Sequence, residues 1–193
     1  MSFGARACAL LVLAAWPGQP LDDGARAWVQ AHRAHALEAS MHAASDQSRT
    51  ALLIGEAVAL VSGPAGRAFA LESAIALVPV NAVVETLKWC VNRTRPDGSR
   101  DRKNSSFPSS HAANAAALAW ILAKRWPRAS ALFWIAAAAV AWSRIYLNRH
   151  FLSDVLVGVM IGVASSWVMS RLAEAQAART AKLGGNRDGS RRV

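Results

Sequence analysis

Five apolar stretches, at about residues 50 to 62, 68 to 87, 112 to 123, 130 to 147 and 151 to 170, alternate with short turn-like or basic breaks. That alternation limits what the chain can fold into. Each stretch reads as a helix, yet several are shorter than the roughly 20 residues a straight membrane span needs. Ala-rich segments of this length are marginal alone and hold only when packed together, which predicts an all-α integral membrane bundle. Gly158, Gly162 and Ser166 put small residues four apart, a spacing that favours close helix contact. Composition agrees, with 53% hydrophobic and 18% charged residues and eight Trp against one Tyr among 193. The mean hydropathy of +0.19 is modest because charge gathers in a few loops and in the polar tail.

The length suits one unit, with the bundle over residues 21 to 170. Before it, Arg6 precedes an apolar run at residues 7 to 16 and the break Pro17, Gly18, Gln19, Pro20. Residues 1 to 20 therefore read as a signal peptide or a short first membrane helix, and the lack of a small-x-small cleavage site favours the helix. Residues 21 to 46 place Trp28, Val29, Leu37 and Met41 loosely at helical spacing, as in an amphipathic helix lying on a membrane surface. His32, His35 and His42 fall in that segment and are given no metal role. Residues 171 to 193 are polar and basic, and are expected to form a cytoplasmic tail, disordered after its first turns.

A net charge of +10 and a pI near 11.2 would suit a nucleic-acid binder, a protein facing anionic lipid or a binder of phosphorylated substrates. Nucleic acid is rejected, because the basic residues interrupt hydrophobic spans and the Trp residues lie inside those spans rather than forming a polar stacking face. Cys8 and Cys90 sit in unlike contexts and suggest neither a disulfide framework nor a zinc site.

Three polar clusters lie at the ends of apolar stretches. The first is Lys88 followed, after six residues, by Arg95 and Pro96. A seven-residue spacing returns both cations to one helix face, and Pro96 would end that helix with Arg95 at its mouth. The second, Pro108, Ser109, Ser110 and His111, precedes the run 112 to 123 and reads as a helix start, whose amides and dipole stabilise an anion. The third is Ser143 and Arg144, then His150, then Asp154. His150 and Asp154 are i and i+4 on one helix face, where a carboxylate can hold one imidazole nitrogen protonated and leave the other as nucleophile. An Asp inside an apolar segment is costly unless it has a partner or a job.

In order and internal spacing these clusters resemble the three-part signature of the type 2 phosphatidic acid phosphatase and vanadium haloperoxidase superfamily. The likeness is close from Lys88 to Asp154 and looser over residues 20 to 170. Ser110 departs from it, since Gly is usual there, although a Ser amide still donates. The resemblance implies a membrane bundle of about six helices with a phosphate site at one membrane face. Lys88, Arg95, Ser109, the amide of Ser110 and Arg144 would bind phosphate oxygens. His150 would attack phosphorus, Asp154 would orient it, and His111 would protonate the leaving oxygen and then activate water. Three cations can offset phosphoryl charge, so the expected hydrolysis of a lipid phosphomonoester or pyrophosphate needs neither metal nor cofactor.

The three clusters must share one membrane face, which leaves the loop 124 to 128 and the tail on the other. Their Lys and Arg residues make that other face cytoplasmic, so the site is expected to face the periplasm or exterior of a bacterial-type inner membrane. Glu56, Glu72 and Glu85 lie within apolar stretches and are expected to be structural, with Glu85 pairing with Lys88. The leading alternative is a lipid phosphoryl or phospho-alcohol transferase using the same phosphohistidine. The lipid itself and the oligomeric state have no signature in the sequence.

Overall fold

The computed structural model describes residues 18–99 and 105–189, and every regular element among them is helical. The N-terminal segment 1–17, with its signal-or-helix expectation, lies outside the described residues. Six α-helices are described: α1 (Gln19–Ala31), α2 (His35–Val61), α3 (Gly63–Val91), α4 (Ser110–Arg125), α5 (Ser130–Tyr146) and α6 (Leu152–Gly189), with a single 3₁₀ turn at Pro127–Ala129.

Two boundaries differ from the sequence expectation. The surface segment 21 to 46 divides at His32, whose amide closes α1 on the carbonyls of Trp28 and Val29. Its second half runs without a break into the next apolar stretch as α2. Residues 46–50 are polar but contain neither Gly nor Pro, and the Ser48 hydroxyl bonds back to the Ser45 carbonyl at 2.8 Å within the turn. The break falls instead at Gly63, with φ of 85°, a region glycine enters without steric cost, and Pro64 then starts α3.

The last helix, α6, is the longest of those described. It runs from Leu152 through Arg171 to Gly189. Residues 171–180 are mostly Ala, Arg, Glu, Gln and Leu, which are strong helix formers. Glu174 in this extension accepts from Lys124 at 2.8 Å, tying it to the end of α4.

α4 is the central helix, packed against α2, α3, α5 and α6. Ala112, Ala113, Ala116, Ala117 and Ala119 are all buried, so small side chains admit neighbours on several sides. The closest approach is by α6. A Cβ on Gly158 would lie 2.5 Å from the Ser109 carbonyl oxygen, and one on Gly162 would lie 2.2 Å from that of Ala113. Those two glycines thus fix the depth at which α6 lies against the start of α4, as their spacing suggested.

The outer surface is apolar, with Leu53, Val61, Val78, Ile135 and Met160 all largely exposed. A patch of that extent calls for hydrocarbon around it. Among the described residues, three helices can cross a membrane by length and composition: Gly63–Val91, Pro127–Tyr146 with its leading 3₁₀ turn, and Leu152–Thr180. The end of α3, the start of α4, the end of α5 and the start of α6 meet at one end of this bundle, which brings the three polar clusters together.

Candidate active site

α3 stops where Asn92 turns left-handed, with φ of 49°, and its amide bonds the Lys88 carbonyl at 3.0 Å. Asn takes that conformation more readily than most residues because its short polar side chain bonds locally. The helix therefore ends at Val91, before Pro96, and Arg95 sits in the following loop rather than on a shared face with Lys88. Arg95 and Ser99 close that loop through a 3.1 Å main-chain bond, and the Arg95 Nη1 reaches the Arg149 carbonyl at 3.4 Å. Lys88 is buried in the last turn of α3. Its Nζ donates to Glu85 at 2.9 Å, as expected from their spacing, and to the Ser110 hydroxyl at 3.3 Å.

Ser109 is the N-cap of α4, its hydroxyl accepting from the Ala112 amide at 3.4 Å. The Ser109 amide donates to the Asp154 carbonyl at 3.0 Å, which locks the start of α4 against α6. Ser110 and His111 then form the first turn, at the positive end of the helix.

The third cluster is a chain reversal. Asn148 is left-handed, with φ of 56°, and Arg26 of α1 holds its side-chain oxygen at 2.8 Å. The amides of Arg149 and His150 both return to the Arg144 carbonyl, at 3.0 and 3.2 Å. This turn explains the five-residue gap between Arg144 and His150. It also corrects the sequence reading, because His150 precedes α6 instead of sharing a helix face with Asp154. Asp154 is the third residue of α6 and accepts from the Phe151 amide at 2.9 Å, as an acidic residue does when capping a helix start. Arg144 is buried and donates through Nη1 to the Ser45 hydroxyl of α2.

His150 is only 3% exposed. Its Nδ1 lies 2.7 Å from the Ser106 carbonyl oxygen, while Asp154 Oδ2 stands farther off at 3.8 Å. A carbonyl can only accept, so Nδ1 carries the proton and the neutral ring keeps its lone pair on Nε2. The direct hydrogen bond is thus made by Ser106, with the Asp154 carboxylate behind it. Burial pulls the His150 pKa below its ordinary value. The Asp154 carboxylate pulls it upward, and the positive charges of Arg95 and Arg144 add to the lowering.

Around Asp154 the structure adds residues that the sequence reading did not single out. Ser106 Oγ donates to Asp154 Oδ2 at 2.5 Å, and Arg93 Nη1 donates to Oδ1 at 2.7 Å. Arg93 also reaches Asp22 of α1 at 2.8 Å and the Ser153 hydroxyl at 2.8 Å. Asp22 is 1% exposed and further accepts from the Ser153 amide and hydroxyl at 2.8 and 2.6 Å. The sequence signal for this group was slight: an extra Arg beside the first cluster and an Asp in a surface helix.

His111 is half-buried and lies at one end of a cavity of about 380 Å³. The cavity runs between α2, α4 and α5 along Leu52, Leu118 and Leu122 towards Phe69 and Phe133. Phe69 and Phe133 both contact Trp126, with ring centroids 6.0 and 6.3 Å apart respectively. Glu56 borders this cavity, and Glu72 borders a smaller one of about 240 Å³ between α3, α4 and α6. Asn114, also at the cavity wall, exchanges amide hydrogen bonds with Asn81 at 3.0 and 3.1 Å.

Fold and site together define a class: an all-helical membrane bundle with buried Lys88, Arg144 and His150 gathered at one end. A sequence model of the PAP2 superfamily matches residues 68–177, more than half of the chain, and the protein belongs to that superfamily. The Lipid A 1-phosphatase of Porphyromonas gingivalis is 32% identical over 106 residues, which are 51% of this chain and 23% of that protein. The match therefore spans under a quarter of that relative's length. The crystal structure of Aquifex aeolicus LpxE superimposes with a TM-score of 0.67 at 21% identity, covering 76% of this chain and 92% of that one. The first transmembrane PAP2 type phosphatidylglycerolphosphate phosphatase from Bacillus subtilis gives a TM-score of 0.63 at 23% identity, over 89% and 95% of the two chains. Both share the fold.

Proposed function

We propose that the protein is a membrane lipid phosphatase that hydrolyses a phosphomonoester or diphosphate through a phosphohistidine on His150. The observation that carries this reading is the buried imidazole whose Nδ1 is bonded to the Ser106 carbonyl, beside Arg95 and Arg144. Held in that way, Nε2 attacks phosphorus while the bond to the leaving oxygen breaks. His111 gives that oxygen its proton. The neutral His111 then takes a proton from water, whose oxygen displaces His150 and releases phosphate. Lys88, Arg95 and Arg144, with Ser109 and the Ser110 amide, would stabilise the charge on the equatorial oxygens.

The apolar cavity beginning at His111 supports a lipid substrate, since a hydrocarbon chain can lie along α4 while its phosphate sits at the polar end. The P. gingivalis and B. subtilis relatives are named for lipid phosphates, which agrees. Lys124, Arg125 and Arg128 lie at the far end of the bundle with Arg171, and the positive-inside rule puts that end in the cytoplasm. The active site then faces the periplasm or exterior. A cysteine introduced by Asn104→Cys should react with an impermeant maleimide added outside; reaction only after the inner leaflet is opened would reverse the orientation.

The mechanism is tested by mixing purified protein with a labelled aryl phosphate and quenching in alkali, where phosphohistidine survives. Wild type should carry label and His150→Ala should carry none. Label retained by His150→Ala would sink the nucleophile assignment. Phosphate release across phosphatidic acid, phosphatidylglycerol phosphate, undecaprenyl pyrophosphate and a lipid A phosphate would then identify the substrate. Parallel runs with an added acceptor separate hydrolysis from transfer.

A further inference from the structure

Arg93 belongs to none of the three clusters, yet two routes run from it to His150. By the main chain, its carbonyl accepts from the Ser106 amide at 2.9 Å and its amide donates to the Ser105 hydroxyl at 3.0 Å. Ser106 in turn offers His150 the carbonyl that holds Nδ1 at 2.7 Å. By the side chain, Nη1 occupies Oδ1 of Asp154. That leaves Oδ2 to the Ser106 hydroxyl, the Phe151 amide and the flank of His150. The guanidinium also lies 4.1 Å from the Phe151 ring centroid, next in sequence to His150.

The charges in this group are unevenly matched. Asp22 and Asp154 are 1% and 0% exposed, and one guanidinium serves both. One negative charge is left over, and the bonding of Arg93 to Oδ1 directs it towards the imidazole. That is the side on which positive charge grows when Nε2 bonds phosphorus. Asp22 reaches this position from α1, the amphipathic helix that leaves Leu21 and Trp28 exposed. It fixes both the guanidinium and the start of α6 through Ser153.

We propose that Arg93 is a positioning residue for the nucleophile and that Asp22 is its anchor, so that the docking of α1 sets the aim of His150. This rests on His150 being the nucleophile. A Lys cannot span Asp22, Ser153 and Asp154 as the planar fork does, which makes Arg93→Lys an informative conservative change.

The experiment uses the full chain in detergent. It measures the first-turnover rate of label transfer from an aryl phosphate, with steady-state kcat and KM, for wild type, Asp22→Asn, Arg93→Lys and Arg93→Gln. Misplacement of a reacting group by about 1 Å costs on the order of 10²-fold, so Arg93→Gln should lose about that much in kcat and Asp22→Asn about tenfold, with KM nearly unchanged. Arg93→Lys should recover part of the Gln loss. Folded variants that label at the wild-type rate, or that change KM alone, overturn the proposal. So does loss of folded protein in Asp22→Asn, which would assign the group to stability. Wild type that takes no label on His150 would instead refute the proposed mechanism.

Discussion

The two walls around His150 handle charge in opposite ways. On the anchoring wall, Asp22, Arg93 and Asp154 interlock, with hydroxyls of Ser106 and Ser153 and the Phe151 and Ser153 amides completing their bonds. On the facing wall, Lys88, Arg95 and Arg144 bring three positive charges, and Lys88 is bonded to Glu85, half exposed at the rim. A wall of interlocked opposite charges holds a shape, whereas a wall of clustered positive charge draws an anion. Arg93 and Arg95 are two residues apart in one loop and fall on different walls. Their partners, not their residue type, distinguish the two roles.

The largest effect that should separate the walls is at His111, which borders the apolar cavity between α2, α4 and α5. His111→Ala should cut turnover of a lipid phosphate by roughly 10²- to 10⁴-fold, the usual worth of a positioned general acid. The same protein should still form phosphoenzyme from an aryl phosphate, whose leaving group needs little protonation, and the label should then accumulate because water is no longer activated. If His111→Ala failed to label as His150→Ala does, the two histidines would not have separable roles.

Next in size is Lys88→Ala. Loss of one preorganised donor costs on the order of 10²- to 10³-fold in rate. Its bonded acid, Glu85, is half exposed and returns to solvent, so thermal stability in detergent should fall little. A collapse in stability with a modest loss of rate would move Lys88 to the anchoring wall.

The difference between the walls also explains what was legible in the sequence. Lys88, Ser109, Ser110, Arg144, His150 and Asp154 stand in short-range patterns, and the structure gathers them at one end of the bundle. Asp22 meets Ser153 across 131 residues and Arg93 across 71, and no local spacing can announce such a contact. Ser106 was hidden for another reason: its carbonyl, which belongs to no residue type, accepts the hydrogen bond from His150 Nδ1. Local geometry was lost where a turn replaced a helix. Asn92, left-handed, ends α3 before Arg95, and the left-handed turn at Asn148 leaves His150 ahead of α6 instead of inside it. In the bundle, small residues gave away the contact of α6 with α4, while the helical run through residues 46–50 was obscured by its polarity.

The smallest expected effect is a displacement of the pH profile, and it is the finest test of which wall an arginine serves. The proposed attack by His150 requires a neutral Nε2. Its pKa lies below the ordinary imidazole value of 6.5 because burial disfavours the cation, with Arg95 and Arg144 reinforcing this and Asp154 opposing it. The acid limb of label formation that belongs to His150 should therefore fall below that value. For stability the sign is the same: an unfolded chain takes up the proton at higher pH than the native one, so this residue's contribution declines as pH falls through the ordinary imidazole range. Arg95→Gln removes one of the lowering charges and should move the acid limb to higher pH. The substrate's own ionisation is common to both proteins, so the difference between their profiles isolates the enzyme. Asp22→Asn acts on the other wall through position and should lower the plateau while leaving the limb where it is. An Arg95→Gln profile that dropped in height without moving would mean that Arg95 does not act on the imidazole, and the contrast between Arg93 and Arg95 would fail at its most specific point.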